Sequence, residues 1–352
     1  MDRFDYIVVG AGSAGCVLAA RLSENPRNRV LLLEAGGSDR RLDVRLPLAV
    51  SKLWPNPRLT WGFMSEPEAE LGGRRLPVAR GRMLGGTSSL NGMMAIRGHK
   101  ADYDGWREAG LSDWGWDDVL PWFRKLERHW RGDTPEHGGS VEPHPAPSPL
   151  MANAIEAARS LGYPITEDFN GPRTDGFGMP DFTTRNGRRC SAADAYLRPA
   201  LSRSNLEVRT GAVATRVLMR EGRAVGVEVA REGRLEEIVA EREVLLAGGA
   251  INSPQLLLLS GIGPGDHLRE MGLEVAVESG EVGANLQDHP GAGMEFDLDP
   301  ALAFDRELRF DRLTGSFLRW LAGRKSIMGA PPLAVSANVA TGADPDVIDM
   351  HF

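Results

Sequence analysis

The chain has 352 residues, 42% hydrophobic and 25% charged, with 41 Lys and Arg against 48 Asp and Glu. That length and mix fit a globular protein of about two domains with a sizeable core. The net charge of −7, with no long basic block, argues against a nucleic-acid partner, no apolar run approaches the ~18 residues of a membrane span, and two isolated cysteines, Cys16 and Cys190, exclude a disulfide framework or a cysteine metal site.

The N-terminus lacks the apolar core and cleavage site of a signal peptide, so the expected location is the cytoplasm. The 42 glycines exceed the usual share of about 7%. They gather in GAGSAG and GRMLGG, places where backbone must approach a ligand closely.

In chain order, residues 6–9 (YIVV) form a continuous apolar, β-branched run, as a buried parallel strand requires. Gly10-Ala11-Gly12-Ser13-Ala14-Gly15 follows, then a helical stretch through Val17, Leu18 and Leu22, then a second apolar run at 30–33 closed by Glu34. A glycine-rich hexapeptide alone is a weak signal. Here it leaves a strand, opens a helix, and is followed by an acidic residue about 20 positions on, as in a dinucleotide fold. Gly10 permits the tight turn, Gly12 lets a pyrophosphate approach the helix N-terminus, and Gly15 lets helix and strand pack closely. Glu34 accepts hydrogen bonds from ribose hydroxyls, which disfavours a 2′-phosphate and therefore NADP. FAD and NAD stay open on this segment.

Residues 38–80 carry five prolines and read as an irregular excursion. The stretch 81–93, GRMLGGTSSLNGM, joins a paired glycine turn to three consecutive hydroxyl residues, an anion-binding concavity with extra donors. A second phosphate-type loop so far from the first points to a larger cofactor laid across the domain, with its ring near Asn91. Five of the eight tryptophans fall between Trp106 and Trp130 and are expected to pack in the core, with Asp117 as the N-cap of a helix there. Residues 132–149 read as a linker, and 149–161 as a helix. Residues 216–220, 224–230 and 235–240 read as a meander with turns at Glu221-Gly222 and Glu232-Gly233, and 243–247 as a further buried strand.

Three stretches together resemble the glucose–methanol–choline (GMC) oxidoreductases, closest to their choline-dehydrogenase-like branch. They are VVGAGSAGCVLAARLSE with Glu34-Ala35-Gly36, then GRMLGGTSSLNGMMAIRGHKADYD, and GAINSPQLLLLSGIG at 249–263. GRRCSAADAYLRPAL around Cys190 and VGANLQDH at 282–289 support the likeness. The resemblance implies an α/β fold: a doubly wound, Rossmann-like FAD-binding domain (1–150 and 203–292) interleaved with a partial α+β substrate domain on an antiparallel sheet (151–202 and 293–352).

It also implies roles. Gly10, Gly12, Ser13, Ala14, Gly15, Glu34 and Ala35 hold the ADP half of FAD, and Met83, Leu84, Gly85, Gly86 and Ser88 line the pyrophosphate and ribityl portion. Asn91, Gly92, Met93 and Met94 lie beside the isoalloxazine, and Val213 offers backbone atoms to the adenine. Some relatives attach FAD to a histidine where this chain has Leu90, so FAD is expected to be non-covalent here. No metal is expected.

The implied reaction is oxidation of the CH–OH group of a small-molecule alcohol by hydride transfer to flavin N5, with O2 or another acceptor undecided and the oligomeric state open. In the family the histidine base lies in a C-terminal segment, expected beyond residue 352, so the chain reads as truncated and its catalytic residues are unknown. Of the seven histidines, His129, His137 and His144 are expected to be solvated, His99 and His289 structural, and His267 without chemistry. His351, in a strand-like run over 346–352, is a weak candidate to face a substrate cavity. Two alternatives accompany this reading: a catalytically inactive FAD-binding module, and a flavin photodecarboxylase of fatty acids on the same fold.

Overall fold

The structure, a computed structural model, describes residues 2–132, 138–297, 306–332, 335–342 and 347–352. The chain forms two compact units: Met1–Arg41, Leu53–Leu90 and Ser191–Met294 make the first, and Leu42–Lys52, Asn91–Cys190 and Glu295–Phe352 the second. The divisions fall at 90/91 and 190/191, where the sequence reading has 150/151 and 202/203.

The first unit is built on a six-stranded sheet. Its elements are β1 (Arg3–Val9), α1 (Ser13–Leu22), β2 (Val30–Glu34), β3 (Leu206–Thr210), β4 (Ala212–Arg220), β5 (Arg223–Arg231), β6 (Arg234–Leu246) and α2 (Gly249–Leu259). The strand order is β3-β2-β1-β6-β5-β4. The four strands from β3 to β6 along one side are parallel, whereas β5 runs antiparallel to both β4 and β6. The apolar runs of β1 and β2 are central: Ile7, Val8, Leu31 and Leu32 are fully buried, as strands covered on both faces require. Both hairpin turns put two successive residues in the left-handed region, φ 50° and 75° at Glu221-Gly222 and 52° and 74° at Glu232-Gly233. That is the type I′ geometry whose twist matches the flanking strands.

The expected strands at 235–240 and 243–247 are one continuous strand, β6. Its first half pairs antiparallel with β5 and its second half parallel with β1. Glu241, Arg242 and Glu243 are exposed, so the polar run that reads as a break is the uncovered stretch of a single strand.

In the second unit a three-stranded antiparallel sheet joins Met350–His351, Ser336–Val339 and Gly176–Gly178. Of the strand expected over 346–352 only Met350–His351 forms, and Asp346 lies outside the described residues. Leu46, Trp320 and Met328 form a small core there, and the expected helix at 149–161 is Pro149–Ser160. The helix Trp116–Leu126 is capped at Gly115, whose N–H donates to Asp118 Oδ2 at 3.1 Å, so Asp118 rather than Asp117 serves that end. The tryptophans are not core residues: Trp106, Trp114, Trp122 and Trp130 are about half exposed, from 46% to 62%. Trp106 packs edgewise on Tyr103 and on Trp114, whereas Trp122 and Trp130 lie against Lys125 and Arg131, as on a surface where two short amphipathic helices meet.

One buried hydroxyl fixes how β4 meets α2. Ser260 Oγ accepts the Val217 amide at 2.8 Å and donates to Leu256 O at 2.6 Å. Ser260→Ala leaves a buried N–H unpaired and is expected to lower stability by about 1–3 kcal/mol in urea denaturation, with no change in the slope of the transition.

Candidate functional site

The site begins where β1 ends. Gly10 turns the chain with φ 99° while its amide donates to Leu33 O at 2.8 Å. A Cβ there would stand 2.6 Å from Ala247 O, and one at Gly15 would stand 1.8 Å from Gly10 O. Packing of the protein itself therefore dictates both glycines. Gly12 is different: its φ of −76° is ordinary, and the nearest atom to an added Cβ is 3.8 Å away. Nothing in the chain demands a glycine there; the open space beside it does. α1 starts immediately after, with no side-chain cap and no acidic residue in its first turn. Its leading N–H groups are thus left to an incoming acceptor, and the helix terminus favours an anion.

Glu34, at the tip of β2, is 6% exposed. Its Oε2 accepts the Ala11 amide at 2.9 Å and its Oε1 the Gly36 amide at 2.8 Å, so it ties the glycine loop to the end of β2. Burial pushes its carboxyl above the usual range, and the two amides and the nearby Arg82 offset this in part. Each oxygen keeps a second lone pair, which leaves room for a hydroxyl donor.

The second glycine loop is pressed onto the first. Gly85 N donates to Ala11 O at 2.7 Å, Leu84 N to Gly37 O at 3.0 Å, and a Cβ on Gly86 would lie 2.7 Å from Gly12 Cα. The three hydroxyls that follow mostly serve the loop itself, which corrects the expectation of three phosphate donors. Ser88 Oγ donates to Gly85 O at 2.6 Å and accepts from Ala192 N, and Ser89 Oγ donates to Leu84 O. Thr87 lines the cavity, although its Oγ1 also accepts the Gly81 amide at 3.1 Å.

Between the loops lies a cavity of about 900 Å³. Of the residues singled out from sequence, Gly10, Gly12, Ser13, Ala14, Glu34, Ala35, Gly86 and Val213 line it, while Gly15, Met83, Leu84, Gly85 and Ser88 stand behind its wall. Asn91, Gly92, Met93 and Met94 belong to the second unit. There the Asn91 carbonyl and Oδ1 accept from Arg189 at 2.7 and 2.9 Å, and Met93, fully buried at φ 65°, accepts from Thr183 N at 2.7 Å. Sequence reading missed Trp61, Phe63, Arg80 and the stretch 248–253 of the lining. For the last the signal was present: β6, like β1, runs into a glycine-containing turn that opens a helix.

Among the described residues no histidine lines this cavity. His99 caps the helix Lys100–Glu108, and His351 stands between Ser336 Oγ and Asn338 Oδ1 at 3.1 and 2.7 Å. His129 and His144 are not solvated as expected. His129 is buried 3.3 Å from Asp181, and burial pushes the His144 pKa down. His137 lies outside the described residues. His129, Asp168 and Asp181 converge with metal-like spacing, but Arg131 stands 2.8 Å from Asp181 and 3.4 Å from Asp168 and already supplies the cation.

The lining fits a dinucleotide: a cradle that a Cβ at Gly12 would fill, a helix terminus for phosphate and a carboxylate for ribose. The family model described as GMC oxidoreductase matches residues 4–291. The chain is 46% identical over 301 residues to an oxygen-dependent choline dehydrogenase of Rhizobium johnstonii, covering 83% of this chain and 53% of that protein. It is 45% identical over 292 residues to one of Photobacterium profundum, covering 81% and 51%. Among solved structures it is similar to pyridoxine 4-oxidase from Mesorbium loti (38% identity, TM-score 0.74, 78% of this chain and 55% of that one). It is also similar to an Aspergillus oryzae formate oxidase studied for FAD modification (28%, TM-score 0.88, 96% and 61%). The chain spans about half the length of the curated relatives it matches.

The state of Glu34 is open to a direct check. Its folded carboxyl holds a proton more tightly than the unfolded chain, so its contribution to stability is full below the unfolded pKa of about 4.3 and is lost as pH rises through the folded value. The melting temperature of Glu34→Gln, measured on flavin-free protein, is expected to gain on that of the unmutated protein as pH rises from about 4 toward neutrality.

Proposed function

The chain belongs to the GMC oxidoreductase family, whose cofactor is FAD, and on that premise we propose that the cavity of the first unit holds the ADP half of a non-covalently bound FAD in an enzyme that oxidises small alcohols. The observation that carries this reading is the contact between the two glycine loops, Gly86 against Gly12, beside the uncapped N-terminus of α1. Backbone amides at Ser13 and Ala14 face the diphosphate, Glu34 accepts the ribose hydroxyls, and the backbone at Val213 borders the adenine. Met83, Leu84, Gly85 and Ser88 act from behind, holding the second loop against the first. We assign cofactor binding to the first unit and substrate binding to the second.

Bound FAD supplies a hydride acceptor for the carbon of a CH–OH group. The residues of this chain orient that cofactor and exclude water from its phosphates. The named relatives point to choline or a close analogue as the alcohol to try first, and to O2 as the acceptor. Leu90 carries no nucleophile, is 1% exposed, and accepts the Trp54 indole N–H at its carbonyl. It offers no point of covalent attachment.

The purified protein is expected to be yellow, to release all its flavin into the supernatant on acid precipitation, and to bleach anaerobically with choline or another primary alcohol. Gly12→Ala is expected to weaken flavin retention while the melting temperature of the flavin-free protein stays within a few degrees, since the added Cβ enters the cradle without a clash in the protein. A colourless protein overturns the reading. Flavin left in the pellet overturns the non-covalent assignment, and bound flavin that no alcohol bleaches favours a binding module over an enzyme.

A further inference from the structure

The cavity carries two charged side chains among the described residues, Glu34 on one wall and Arg80 on another. Glu34 is an acceptor for hydroxyl donors, whereas Arg80 is a donor that matches an anion. The amides at the start of α1 are neutral dipoles, so they orient a diphosphate without neutralising it. Arg80 is held on both sides: one terminal nitrogen donates to Ala79 O at 3.0 Å and the other to Asp288 Oδ2 at 3.0 Å. A guanidinium has five N–H donors, and these two bonds use two of them. Trp61 and Phe63, stacked with ring planes 1° apart, also line the cavity and lower the local dielectric. Its near neighbour Arg82 has a different post, lying over the Trp61 ring at 4.9 Å.

We infer that Arg80, steadied by Asp288, is the cationic clamp for the diphosphate of the bound dinucleotide, and that it selects diphosphate-bearing ligands over their phosphate-free parts. The inference rests on the FAD reading above. Asp288 contributes as a positioning residue: it takes one terminal nitrogen while Ala79 O takes the other, and the three remaining N–H donors are left to the phosphate oxygens. Arginine suits this task because its planar fork binds two anionic oxygens at once, where lysine offers a single point charge.

The test uses flavin-free protein and three probes, FAD, ADP and adenosine, with dissociation constants measured by calorimetry. Arg80→Gln is expected to weaken FAD and ADP about 10- to 100-fold and to leave adenosine unchanged. Arg80→Lys is expected to recover part of the ADP affinity, and Asp288→Asn to weaken ADP less than Arg80→Gln does. Equal losses for ADP and adenosine would mark Arg80 as merely structural and overturn the clamp, as would unchanged ADP binding in Arg80→Gln. Unmutated protein that binds neither FAD nor ADP overturns the FAD reading itself, an outcome distinct from normal FAD binding by the Arg80 variant.

Discussion

The first unit depends on a close approach of backbone to backbone at one point. The turn after β1, the start of α1, the turn after β6 and the loop 81–86 converge so tightly that side chains at Gly10, Gly15 or Gly86 would overlap main-chain atoms. Strand, helix and second loop are therefore placed relative to one another by the absence of side chains. The cavity is what remains where that crowding stops, beside Gly12. Three glycines build the cradle and a fourth leaves it open.

Polar groups at this junction hold the architecture and some of them also line the cavity. Glu34 joins two loops through the amides of Ala11 and Gly36, yet it is buried at some cost to its charge. Such a carboxylate is tolerable because the amides of Ala11 and Gly36 compensate it. Ser88 and Ser89 follow the opposite pattern. Their hydroxyls look like ligand donors in the sequence, but they close the second loop on itself. Arg80 is a third case, a cation fixed at the cavity wall by a carboxylate 208 residues away in sequence.

Much of this was legible in advance. The runs at 6–9 and 30–33, the glycine spacing and Glu34 identify the dinucleotide fold because local pattern and tertiary role coincide there. The hairpin turns were legible for the same reason, since the Glu-Gly pairs at 221–222 and 232–233 signal turns before any contact forms. The reading failed where a residue's role depends on what happens to lie beside it. β6 was split at Glu241-Arg242 because exposure along a strand that changes partner does not follow a two-residue period. The tryptophans between 106 and 130 were expected inside because aromatic content cannot tell a buried helix face from one packed only on its neighbour.

The sequence by itself determined the dinucleotide fold and the positions of both glycine loops, and its motifs carried the family resemblance. The fold and the loops rest on short-range constraints, such as a tight turn, a helix start or a strand of continuous apolar residues, that a few neighbouring residues encode in full. Only the tertiary structure decided which glycines serve packing and which one serves space, which hydroxyls face the cavity, and that Arg80 joins its wall. Each of these depends on the distance between atoms far apart in the chain, and no local pattern carries that distance.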